Sequence, residues 1–163
     1  MCLLVSDKSV TPLTATKPIK VYKVLTSASK DKWITPVMGK KVRFVFGKCN
    51  MGNNLMRGIV YYSDFGYYHV YWEKGELSVN FDSLFESIDV RELGIKDVCV
   101  HQGIHAYTDK SSLLLNEKNA VFEAVIPKGA HYFIGAENEI VADKMIIYKN
   151  GVKDTSIEPI ENE

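Results

Sequence analysis

Cys99-x-His101-x-x-x-His105 is the densest group of metal-ligating residue types in the sequence. A zinc site needs three or four such ligands converging tetrahedrally. Gly103 stands between the two histidines and is expected to break their strand, and no fourth ligand is near in sequence. The favoured reading is a buried thiol and two histidines with backbone partners, and no metal. Glu137 and Glu139 form a second candidate. Two residues apart at a strand entrance, they are expected to point to one side. Buried together, one would hold its proton to higher pH and could act as a general acid or base. The simpler alternative, which the sequence favours, is a solvated pair on a turn near Asn138. Cys2 is a third candidate: removal of Met1 would let its own amine activate the thiol. A thiol tucked under the first strand is the simpler expectation. No glycine-rich phosphate loop, G-x-S-x-G or HExxH motif occurs.

The elements that must position these groups belong to a chain of 163 residues, the length of one domain with a real core. Formal charge is balanced, so no global field steers the molecule toward nucleic acid or anionic lipid. Residues 1–50 nevertheless carry ten Lys/Arg against Asp7 and Asp31, and the remainder is correspondingly acidic. A solvated basic face is the ordinary meaning of such a run. Its functional alternative is a basic groove for a phosphorylated or otherwise anionic ligand. No apolar run approaches the ~20 residues that cross a bilayer, so no membrane role is expected. Three cysteines without framework spacing fit reduced thiols and a cytoplasmic location.

Residues 1–18 read as an extended arm. Ile19–Leu25 alternates as a strand, with Val21, Lys23 and Leu25 on one face and Tyr22 and Val24 on the other. Trp33–Met38, interrupted by Pro36, reads as a short edge strand; residues 41–46 as an alternating strand; Gly47–Asn54 as a mobile loop. Residues 58–80 read as a meander with its turn at Glu73–Glu76. In its middle strand Tyr67, His69 and Tyr71 face one way and Tyr68, Val70 and Trp72 the other. Such aromatic faces are ordinarily cross-strand packing. A base-stacking platform would come with a basic groove, so nucleic acid is not expected. A modest helix is expected over 81–93, capped by Asp82 and stopped by Gly94. Asp97–His101 is a short strand with Cys99 and His101 on one side.

The Gly103–Tyr148 stretch is the most legible unit. A strand at 104–107 leads to a turn over 110–116 capped by Thr108 or Asp109. Ala120–Ile126 is the core strand, and Ile126–Gly129 reads as a type I turn. His131–Ile134 returns antiparallel, Gly135 breaks it, and Ile140–Tyr148 closes the sheet. Beyond Gly151 an acidic tail is expected to fray.

Two resemblances add to this. The MCL start, Val21-Tyr22-Lys23, Gly103–Tyr107 and IPKGAHYFIG…EIVADKMII resemble a group of proteins from phages and Bacteroides-type gut bacteria to which no activity is attached. They cover the two ends of the chain and not residues 45–100. More distantly, the arrangement is similar to ADP-ribosyltransferase-like domains. Tyr22-Lys23 stands where those domains carry Tyr-His or Tyr-Arg. Gly103-Ile104-His105 with Ser111 and Ser112 stands at their central strand, and Glu137 or Glu139 at their acidic position. That resemblance implies NAD as cofactor, Lys23 and His105 holding it, and Glu139 orienting the nucleophile. Lys23, Val24 and His105 each depart from the family motif.

The expectation is therefore an α+β, mainly β protein of antiparallel or mixed sheets with one or two short helices, in a single compact domain. Its function is expected to be that of a small cytoplasmic binding or regulatory module of phage or mobile-element origin, taking a small anionic ligand or a protein partner and no cofactor. The alternative is an enzyme of the ADP-ribosyltransferase type. The candidate site comprises His105, Glu137 and Glu139 as catalytic groups and Tyr22, Lys23, Tyr107 and Thr108 as ligand-binding groups.

Overall fold

Alternation of apolar and polar residues dominates this chain, and it folds as strands. A computed structural model describes residues 3–30, 32–36, 39–62, 66–79, 95–110, 113, 117–152 and 158–159. No helix occurs among them; the helix read over 81–93 and most of the capped turn read over 110–116 lie outside the described residues. The strands form two sheets. The smaller has the order β1 (Leu3–Leu4), β10 (Ile95–Gln102), β7 (Leu55–Tyr62), β8 (Gly66–Glu73) and β9 (Glu76–Val79). The larger runs β2 (Leu13–Thr14), β13 (His131–Ile134), β14 (Glu139–Ala142), β11 (Ile104–Tyr107), β3 (Ile19–Ser29), β12 (Asn119–Ile126), β15 (Met145–Tyr148) and β6 (Lys48–Met51). Strands β4 (Lys32–Ile34) and β16 (Glu158–Pro159) pair with β3, β16 parallel to it, and β5 (Lys41–Val42) pairs with β4.

One face of the larger sheet converges on a single core that includes Val21, Leu25, Ala106, Ile126, Ile140 and Ile147. A second core joins the two sheets: Met56, Val60, Trp72 and Val100 meet Phe133 and Val141. Strands β13 and β14 are therefore a shared wall. Ile140 and Ala142 face the first core, and Val141 between them faces the second.

The N-terminal residues, read as an arm, are held along this wall. Leu3 pairs with Val100, Val5 bridges Gly135, and the Trp72 indole donates to the Val10 carbonyl at 2.7 Å. The meander is as expected, and its Lys74-Gly75 turn has both residues at positive φ, as a two-residue type I′ hairpin requires.

Other expectations are corrected. Residues 43–46 do not continue the strand begun at Lys41. Val45–Lys48 instead closes a second such turn, with Phe46 at φ 52° and fully exposed. The segment read as a mobile loop contains β6, which pairs with β15. Strand β13 does not return on β12; it pairs with β14 and β2, while β12 pairs with β3 and β15. The hydrogen-bonded turn there is Pro127–Ala130, one residue later than read, with Gly129 at φ 90° in third position. Residues 140–148 are two strands, because Asp143 turns back to bond His131. Cys99 is disulfide-bonded and only Cys49 is a free, buried thiol among the described residues. The argument from reduced thiols to a cytosolic compartment loses that support. No helix among the described residues is long and apolar enough to cross a membrane.

Candidate functional site

Lys23 belongs to the inward series of β3, with Val21 and Leu25, and only 6% of it is exposed. It is there because of where β3 loses a neighbour. Strands β3 and β11 pair at one position, Tyr22 opposite Tyr107. Further along β3, its edge is taken by β4 at Thr26. Between those points the ladder with β11 is missing, and the Lys23 ammonium spans the gap, donating to the His105 carbonyl at 2.6 Å. Where the two strands part, a cavity of about 920 Å³ opens.

Lys23, His105, Tyr107, Glu137 and Glu139 all line that cavity. Tyr22 and Thr108 do not. Tyr22 is on the other face of β3, its ring within 6 Å of the Lys20 and Lys110 ammonium groups, at 5.7 and 5.8 Å. Thr108 is buried and has a supporting part: its amide and hydroxyl both donate to the Asn138 carbonyl, at 2.8 and 3.3 Å. Those bonds hold the turn that carries Glu137.

The two glutamates are not strand alternates but lie at a turn with Asn138, the placement the sequence favours, with Glu137 exposed and Glu139 half-buried. Glu137 and Asn138 are both left-handed, at φ 56° and 66°, and Glu139 is the first residue of β14. This is again a type I′ geometry, but unlike the turns at Phe46-Gly47 and Lys74-Gly75 it has no glycine. Non-glycine residues hold this conformation at a cost, so the surroundings must over-determine it. The glutamates still act on each other. Burial, and next the Glu137 charge, hold the Glu139 carboxyl above the usual carboxylate range. Burial, and then Glu139, likewise raise the Tyr107 phenol; Tyr107 stands directly opposite Glu139.

Burial brings the Lys23 ammonium down to about 8. No carboxylate among the described residues lies within ion-pair distance of it. The His105 imidazole is brought down to about 4, mainly by burial, against a backbone hydrogen bond with His101 and with a smaller contribution from Lys23. It is neutral at pH 7, and its buried Nε2 has no hydrogen-bond partner. The site at neutral pH is thus a poorly solvated cation beside a neutral imidazole, with the Glu139 carboxyl on the wall of the same cavity. An acidic group entering beside Lys23 would meet a charge with no counter-ion, in a setting where desolvation strengthens the attraction.

Sequence reasoning did not select Thr35, Lys40, Arg57, His101 or Asp143 for this cavity, which they also line. Asp143 had a signal: it is a carboxylate within the apolar run EIVAD, and it is 1% exposed. Its two oxygens take the His131 amide and ring Nδ1, each at 2.9 Å. Lys40 is placed by Thr35, whose hydroxyl accepts the Lys40 amide at 2.9 Å. Cys99 and His101 lie in the smaller sheet and His105 in the larger, and no group of three or more His, Cys, Asp or Glu suited to a metal occurs among the described residues. Comparison with protein-family models, with curated proteins and with solved structures finds no match to this chain.

Proposed function

We propose that the protein is a binding module for a small ligand bearing an acidic group, held in the cavity where β3 and β11 part. The observation that carries this reading is Lys23: a buried, charged amine on the cavity wall with a carbonyl for company and, among the described residues, no carboxylate within ion-pair distance. Buried charges are ordinarily paired. Here the ligand would supply the pairing. His105, Tyr107 and Glu139 line the same cavity and would fix the ligand's other end.

The test is a thermal-shift screen with small carboxylates, phosphate esters and nucleotides, because a ligand that binds only the folded state raises its melting temperature. A panel member should stabilise the wild type and leave Lys23→Met unmoved. A panel that shifts neither, or both equally, contradicts the reading.

A second reading is an ADP-ribosyltransferase-like enzyme using NAD. What favours it is that Lys23, His105 and Glu139 share one cavity. NAD should then stabilise the protein, and nicotinamide should be released and cease to be with Glu139→Gln. Absence of both effects at millimolar NAD removes this reading and leaves the first standing.

A further inference from the structure

The cavity at Lys23 has a neighbour. On the outer face of the smaller sheet a second cleft of about 570 Å³ is lined by Arg57, His69, Tyr71, His101 and Gln102. Its residues meet by register. Arg57 on β7 stands opposite Tyr71 on β8, Ile59 stands opposite His69, and Gln102 on β10 stands opposite Arg57. Val100 pairs with Gly58 and Gln102 with Arg57, so β10 spends an extra residue there, and that residue is His101. Such a bulge re-aims a side chain. Gly58 lets the bulged strand approach: a Cβ at that position would lie 2.2 Å from the Cys99 carbonyl oxygen. Three side chains that are or can become cationic are thereby gathered on one concave face. The charges feel one another, since burial and then His69, with Arg57 also contributing, depress the His101 imidazole. Glu73 is the sole carboxylate among the described lining residues, and no ion pair to Arg57 occurs among the described residues.

We propose that this cleft is a second ligand site, for a phosphoryl group or oxyanion of the same shape, with Arg57 as its fork and His101, His69 and Tyr71 as its further donors. A planar guanidinium presents paired N–H groups matched to two oxygens of such an anion. The imidazoles and the phenol supply donors from the flanking strands. The site stands independently of the reading given to Lys23, although the two cavities share Asn53, Leu55, Arg57, His101 and Gln102 as a common wall.

The experiment follows the imidazole ¹H–¹⁵N signals of His69 and His101 while inorganic phosphate replaces chloride at constant ionic strength and pH. The result expected is a saturable shift of both rings in the low-millimolar range. Arg57→Gln should weaken binding about tenfold or more, and Arg57→Lys, which keeps charge but loses the fork, should fall between. His69→Gln is the second variant, carried on an exposed position of β8, and should weaken binding as well. His69 lines this cleft and not the Lys23 cavity, so a shift of His101 without His69 reports the other cavity, and loss of the Lys23 reading and loss of this one are separable. Rings that shift alike in chloride and phosphate, a titration that never saturates, or binding that survives both Arg57→Gln and His69→Gln overturns the proposal.

Discussion

At residue 23 an alternating strand carries a lysine on its buried side, and the energetics of the site follow from that choice. The unfolded chain holds the lysine proton to near 10.5, the folded chain only to about 8. Below pH 8 both states are protonated and the folded state bears the full desolvation cost. Between about 8 and 10.5 the unfolded state binds more protons, so stability rises with pH. The shift corresponds to about 3 kcal/mol. Lys23→Met should therefore stabilise the protein at pH 7 by about 1–3 kcal/mol and abolish the rise above pH 8, as read by urea denaturation across that range. His105 works at the acid end. Its imidazole is lowered from 6.5 to about 4, so the folded state resists a proton the unfolded state accepts. Stability should fall as pH drops from 6.5 toward 4, and His105→Gln should flatten that slope. The sequence showed Lys23 on the Val21 and Leu25 face, and that placement is what the structure has. It could not show that the lysine would find a carbonyl rather than solvent, because that depends on where β11 leaves β3, a tertiary event with no local signature.

The strands themselves were legible where one face is dry and the other wet. The β7–β8–β9 meander and β3 show that alternation, although β3 runs on to Ser29, past the Leu25 at which it was read to end, and β7 begins at Leu55 rather than Gly58. Reading failed where turns decide. Residues 41–46 alternate well, yet Phe46-Gly47 adopts a type I′ turn despite a phenylalanine in its first left-handed position. The tight hairpin that places β6 against β15 overrides the local pattern. That conflict predicts a gain: Phe46→Asn, which suits φ 52° and removes an exposed ring, should raise stability by about 0.5–1 kcal/mol and the melting temperature by a few degrees. A neutral or lower melting temperature would mean the phenylalanine has packing the structure does not display. The Glu137-Asn138 turn is the counterpart at the cavity, where strain coincides with the candidate site.

For the molecule as a whole, the junction that matters is Gly103. It joins β10 of one sheet to β11 of the other at φ 155°, and a Cβ there would come within 2.6 Å of the Val141 side chain in the shared wall. Gly103→Ala should cost about 1–3 kcal/mol through overpacking and backbone strain, measured by the same denaturation. Gly103 also lines the Lys23 cavity, so the substitution should loosen ligand binding there. The expected strand break at Gly103 was readable from residue type. That the chain there crosses between sheets was not, because pairing partners are fixed by burial across the entire fold.

The most direct test is an NMR titration of the Lys23 side chain through its ¹³Cε signal in the ligand-free protein, repeated with any compound that raises the melting temperature. The midpoint should lie near 8 when free and higher when bound, because an anion beside the amine favours its charged form. An amine that titrates like a solvated lysine, or one indifferent to a stabilising ligand, would contradict the reading of Lys23.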